Sequence, residues 1–415
     1  MIIALIQSFH LLWLSVLEFF PSTEFFVYPY LKSLSWIPYS QIVDHHFPGL
    51  LLGPITFANL GFVTPESFKS LVLLVVLLQS VLIYKITKSK FTVLLYAIWQ
   101  PFFGGNILWY DLFQSLFTLL GYFFLKRERF TLMGLSLGAG LIWKQSLFPL
   151  VLIIGLQLLL KRNFKKITGF VLGVCIPLVL LTIYVNHWKI WQDFWFWNVT
   201  FNITTYRELA STLITKTELL KISVPAITMI ALGEFALLGW GILSIIGGLS
   251  RFGFEHFQPL IPFAAMAVGN RLKTRNLKLK TILVVINLVW VISWEIRSGN
   301  FGKIRYFDDD TYRLANLITK KTTPGDEVFL MGVQPIVYVL SKTTPPGHYF
   351  SYQLPWIMKV NEDRLLESWM RGNTKIAVRN LADSKNVSLK LVQYLESNYI
   401  SKDKIGNYIV YERRP

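Results

Sequence analysis

The chain has 415 residues, of which 53% are hydrophobic, 15% aromatic and only 16% charged, with a mean hydropathy of +0.46. Such an apolar, charge-poor composition excludes an ordinary soluble domain and predicts a polytopic α-helical membrane protein. The formal net charge of +17, from 41 Lys and Arg against 24 Asp and Glu, does not point to nucleic acid, because the basic residues sit in short clusters between apolar runs, the pattern of cytoplasmic loops.

Met1 to Phe20 lacks a basic leader and a small-residue cleavage site, so it reads as a retained span. The stretch from Pro21 to Gly49 then carries Glu24, Asp44, His45 and His46 and is broken by Pro21, Pro29, Pro38 and Pro48. A segment that leaves an apolar helix and lays down carboxylates and imidazoles belongs at the membrane surface, facing water. Leu50 to Phe62, interrupted by Gly53, Pro54 and Gly61, reads as a short interfacial helix. The run Phe68 to Tyr84 ends in Lys85, Lys88 and Lys90, which places that loop in the cytoplasm. Phe91 to Phe103 climbs back, and Asp111 heads the next helix, which ends at the basic cluster 126–129. Gly134, Gly138 and Gly140 in the following span allow close helix approach before Lys144 and Gln145. A third basic cluster, 161–166, separates Ser146 to Leu160 from Ile167 to Tyr184.

Residues 187–222, with Trp188, Trp191, Trp195 and Trp197, read as a second external loop whose aromatics form an interfacial belt. The alternation of sides requires two short or re-entrant spans within 224–250, hinged near Gly233 to Gly239. The last span is Thr281 to Ile296; beyond it, strands alternating with helices predict a small α/β domain. The expected division is therefore a multi-span part, 1–296, with external loops at 21–67 and 187–222, and a soluble part, 297–415. The single cysteine, Cys175, lies in an apolar run, so neither an internal disulfide nor a Cys-based zinc site is available.

The residues able to carry chemistry are the ionisable groups at the bilayer edge, which are costly there without a partner or a task. Glu24, Asp44 and Asp111, with His45 and His46, fall on one face by the count of spans, where they are candidates to bind a divalent cation or to deprotonate a hydroxyl. His10 and His187 read as packing or interface residues. Asn198, Asn202 and Asn386 fit glycosylation sequons, which matter only in a glycosylating compartment.

The segment IPYSQIVDHHFPGLL resembles the first external loop of the GT-C superfamily of polyprenyl-phosphate-sugar-dependent glycosyltransferases, particularly bacterial relatives of protein O-mannosyltransferases and of lipid A aminoarabinose transferase. WYDLFQSLF, GLSLGAGLIWKQS, RFGFEHFQPLIPFAA and the tail segments PGDEVFLMG and NYIVYERR are similar to further pieces of that group. Two positions depart from its pattern: the acidic pair reads Thr23-Glu24, and Tyr-x-Asp reads Tyr39-Ser40-Gln41. The resemblance implies a GT-C-like fold of about 9–11 spans with a C-terminal extracytoplasmic α/β domain in the cell membrane. It implies transfer of a hexosyl or pentosyl group, with inversion, from a polyprenyl-phosphate sugar to a glycan, lipid or protein acceptor. Catalytic roles fall to Asp44, Glu24 and Asp111, donor-phosphate binding to His45, His46, Lys144 and Arg251, and a divalent metal, if used, to Asp44 and His256. Membrane lipids are the other expected partners. The competing expectation is a transporter or flippase of lipid-linked saccharides, whose polar residues would lie near the midplane on broken helices.

Overall fold

The computed structural model describes the chain apart from residues 210–213, 249–251, 300 and 384–387. It forms two compact units, one of residues 1–21, 65–183 and 211–303, the other of residues 22–64, 184–210 and 304–415.

The first unit is a bundle of apolar helices. Among the described residues three are long and apolar enough to cross a membrane, Pro65–Thr87, Phe164–His187 and Leu277–Ser298; Ile2–Val16, Phe130–Trp143, Gln145–Leu160 and Phe235–Gly248 are apolar but shorter. Their ends follow from local chemistry. Ser89 caps the helix Lys90–Gln100 by accepting from Thr92 N, and Pro101 opens the wide turn Pro101–Gly105 that follows. Thr215 and Glu218 make a reciprocal capping box at the start of Lys216–Leu232. This helix breaks at Gly233 and Glu234 before Phe235–Ile245 begins, so the expected hinge lies at the N-terminal edge of the Gly233 to Gly239 window. The capping box also draws residues from 216 onward out of the expected external loop and into the bundle.

Ile261–Arg271 is the centre of the unit, since every residue from Ile261 to Gly269 is buried. A helix apolar all round has no solvent face to offer. The predicted glycine contact is made by Gly134, where a Cβ would stand 2.1 Å from the Phe170 carbonyl oxygen, so Phe130–Trp143 and Phe164–His187 meet backbone to backbone.

The second unit holds a four-stranded mixed sheet in the spatial order Val328–Met331, Ile376–Asn380, Tyr408–Arg413, Tyr399–Ile405. The first pair is parallel and the other two are antiparallel. The helices Asp309–Lys321, Ile336–Ser341, Pro355–Arg371 and Leu389–Asn398 accompany it, the first capped by Asp308 through Thr311 N at 2.8 Å. Its core includes Trp369 stacked flat on Phe329, with ring centroids 3.7 Å apart. The strand Tyr399–Ile405 was not expected; its run of exposed, alternately charged residues marks an edge strand. Leu50 to Phe62 is likewise not the expected helix. Gly61 takes φ 86°, only the short turn Ala58–Leu60 is helical, and Asn59 accepts from Thr56 N at 2.9 Å in place of a helix bond.

Candidate functional site

Among the described residues each unit contains one buried constellation of ionisable side chains. In the first unit Asp111 lies in the opening turn of Tyr110–Lys126, where a carboxylate is favoured by the unsatisfied N–H groups. Lys144 Nζ donates to Asp111 Oδ2 at 2.6 Å, and His256 Nδ1 lies 2.9 Å from the same oxygen. The carboxylate accepting at Nδ1 assigns the imidazole proton to that nitrogen and leaves Nε2 as the basic one in the neutral ring. Asp111, Lys144 and His256 are 3%, 6% and 8% exposed, so the charges compensate one another with little help from solvent.

The turn Phe254–Phe257 that carries His256 is held from behind by side chains the sequence did not single out. Gln258 Nε2 donates to Phe103 O at 2.6 Å and to Gln100 O at 3.0 Å, while Gln100 Nε2 donates to Gln258 Oε1 at 3.1 Å. Gln100 Oε1 in turn is 2.9 Å from His10 Nε2. Gly104, at φ 75°, brings its backbone against this turn, where a Cβ would lie 3.2 Å from Glu255 N. The available signal was a glutamine at each end of an apolar run, beside Pro101 and Pro259. His10 is a packing residue, as expected.

In the second unit Asp44 is the hub. Its Oδ1 lies 2.9 Å from His46 Nδ1, 3.3 Å from His46 N, which donates to it, and 3.9 Å from His45 Nδ1. Tyr39 O–H donates to His46 O at 2.9 Å and Tyr28 O–H to Val43 O at 3.2 Å, which fixes the backbone on both sides of Asp44. The His45 ring lies against His46 and Tyr206, with centroids 4.1 and 4.8 Å away. Asn202 Nδ2 donates to His45 O at 2.8 Å, and Asn198 Nδ2 to Phe194 O at 3.0 Å, so both sequon amides serve as internal braces. Glu24 is buried at the start of Glu24–Ser33, with Ser22 Oγ donating to it at 3.4 Å. Burial pushes the Tyr28 and Tyr352 hydroxyls well above the usual tyrosine range, and the Asp44 and Glu24 carboxylates push them further, so both phenols stay protonated donors beside the two acids. Thr23, in place of an acid, shares a hydrogen bond of 2.8 Å with Tyr352.

The two constellations differ in their fitness for a metal. Asp44, His45 and His46 offer one carboxylate oxygen and two imidazole nitrogens within 4.8 Å of one another, a donor set suited to a divalent ion. Asp111 and His256 already enclose an ammonium, which fills with positive charge the place a cation would take. Asp44 and His256, expected as a metal pair, belong to different units, and each has its own partners there. Arg251 and Asn386 lie outside the described residues.

Apolar helices with one buried ionic cluster at their ends, and a mixed sheet flanked by helices in the second unit, make a helical membrane fold with an α/β part, GT-C-like by the structure that shares it. The crystal structure of ArnT from Cupriavidus metallidurans bound to undecaprenyl phosphate shares this fold, with a TM-score of 0.61 over 99% of this chain and 97% of that one. Sequence identity between them is 11%, so the likeness is one of fold. No family model and no curated protein sequence matches the chain.

Proposed function

We propose that this chain is an integral-membrane glycosyltransferase that moves a hexosyl or pentosyl group from a polyprenyl-phosphate donor to an acceptor on the extracytoplasmic side of the cell membrane. The observation that carries this reading is the pair of buried carboxylate-centred constellations in a fold shared with a protein bound to undecaprenyl phosphate. Transfer with inversion needs one base to take the acceptor proton and cations to balance the departing phosphate. Asp44 supplies the base, directly or through His46, whose Nδ1 it holds at 2.9 Å so that Nε2 is the basic nitrogen. Glu24 supports the same acidic neighbourhood. Lys144, ordered by Asp111 and next to His256, supplies fixed positive charge for a phosphate, and His45 and His46 add imidazoles for the same task. A divalent ion, where one is used, would be held by Asp44, His45 and His46 and would supply charge neutralisation of phosphate oxygens. In this reading residues 297–415 face away from the cytoplasm.

The test is transfer from labelled polyprenyl-phosphate sugars by purified protein in proteoliposomes. Asp44→Asn and Asp111→Asn should each lower the rate by about 100-fold or more, and Glu24→Gln by about tenfold. Undiminished transfer in all three variants overturns the assignment of roles; no transfer with any donor overturns the function.

A further inference from the structure

Within the second unit a cleft of about 600 Å³ lies between the segment Ser40–Gln41, the turn Gly347–Tyr349 and the helix Pro355–Arg371. Its size is within the usual range for small-ligand sites, but its chemistry is unusual for one. Among the described residues no aliphatic side chain lines it; the walls are supplied by Ser40, Gln41, His348, Tyr349, Arg364 and Arg371, with a serine, a glycine and one acid, Glu367. Such a lining rejects an acyl chain and suits a polyhydroxylated, negatively charged ligand.

The guanidinium of Arg364 is set in place. Its Nη2 donates to Ser40 O at 3.0 Å, and its Cζ stands 4.3 Å from the centre of the Tyr349 ring. One donor of the five is spent on Ser40, and the stacked plane presents a fork that matches an oxyanion. Arg371 is 3.3 Å from Glu367, so that pair is balanced and the guanidinium of Arg364 leaves the cleft with net positive charge. The His348 ring is itself ordered by stacking on Trp36, with centroids 5.2 Å apart.

The cleft also shares backbone with Asp44. Phe350 N donates to Gln41 O at 2.8 Å and Val43 N to Phe350 O at 2.9 Å, which makes 41–43 and Phe350 a short parallel pair. Gln41 thus lines the cleft and lies three residues before Asp44, at most about 10 Å along the chain, a span that an oligosaccharide can bridge.

We propose that this cleft binds the acceptor, and that the acceptor is an oxyanion-bearing glycan whose charged sugar docks on Arg364 while a neighbouring hydroxyl is presented near Asp44. The presentation step rests on the glycosyltransferase reading; the binding step does not. The test is calorimetric titration of the full-length protein in nanodiscs with tetragalacturonate, with neutral maltotetraose, and with glucose 1-phosphate. Tetragalacturonate or glucose 1-phosphate should bind at least tenfold more tightly than maltotetraose, and the tighter of the two identifies the anion as carboxylate or phosphate. Arg364→Ala should weaken that binding roughly tenfold and Arg364→Lys by less, because lysine keeps the charge but loses the fork. Equal affinity for charged and neutral probes, indifference to Arg364→Ala, or no binding of any probe overturns the proposal. Arg364-dependent binding in a protein that transfers no sugar would leave the cleft standing and sink the transferase reading instead. Transfer to an anionic acceptor that Arg364→Ala does not alter would do the reverse.

Discussion

Asp111 and Lys144 set up a double-mutant cycle. Asp111 accepts from an ammonium at 2.6 Å and stands 2.9 Å from His256 Nδ1, and neither member of the ion pair is more than 6% exposed. Asp111→Asn keeps the shape but strands the ammonium of Lys144 among neutral groups; Lys144→Met strands the carboxylate. Removing one partner of a buried pair costs about 3–5 kcal/mol, whereas replacing both is often close to neutral. Each single variant should therefore lose about 3 kcal/mol, a shift of more than 100-fold in the folding equilibrium, and the double variant about 1 kcal/mol. The coupling energy should exceed about 3 kcal/mol. Unfolding in mixed micelles by sodium dodecyl sulfate, followed by tryptophan fluorescence, measures it. Additive losses, with a coupling below about 1 kcal/mol, would refute the claim that the pair is desolvated and mutually dependent.

Other expectations follow from the packing and burial of single side chains. Gly134→Ala places a methyl 2.1 Å from the Phe170 carbonyl oxygen and should force two helices apart, at a cost of about 2 kcal/mol or more in the same micelle assay. Trp369→Ala removes the ring stacked on Phe329 and should cost about 3–5 kcal/mol, read as a lowered unfolding midpoint. Burial lowers the Lys32 pKa to about 8 from 10.5. Between those values the unfolded chain binds more protons than the folded one, so stability should rise with pH from about 8 to 10.5. Lys32→Met should remove that slope, and an unchanged pH profile would contradict it.

The first unit was readable because membrane helices announce themselves by composition and the basic clusters after Tyr84 and Leu125 follow a local rule; the capping box at Thr215 follows one too, but it went unread, and 216–222 were left in the external loop. Gly233 could be read as a break. Tyr399–Ile405 could not, because an edge strand with exposed Lys and Asp has no apolar alternation to detect, and its partner lies in the segment after it. The candidate residues were legible as types and not as pairs. The cost of an ionisable group at the bilayer edge drew attention to Asp111, and the resemblance to Lys144 and His256, yet their common contact depends on packing between positions 33 and 145 residues apart. Asp44 with His46 is the opposite case, since adjacency in sequence made the pair visible. Gln100 and Gln258 were passed over, and Asn202 was read only as a sequon, because neutral amides carry no such warning; their value appears only once a carbonyl or a second amide is found opposite them.

The ion pair of the first unit also bears on how the chain enters a bilayer. Asp111 and Lys144 are 33 residues apart, on consecutive helices, while His256 comes 145 residues after Asp111. A nascent hairpin carrying both charges can insert with them paired, each side chain offsetting the desolvation cost of the other before the rest of the bundle exists. The imidazole then docks onto a carboxylate already committed. Insertion efficiency of the isolated 106–145 hairpin should fall when either charge is removed and recover when both are, which would tie the pair that orders the mature site to its biogenesis.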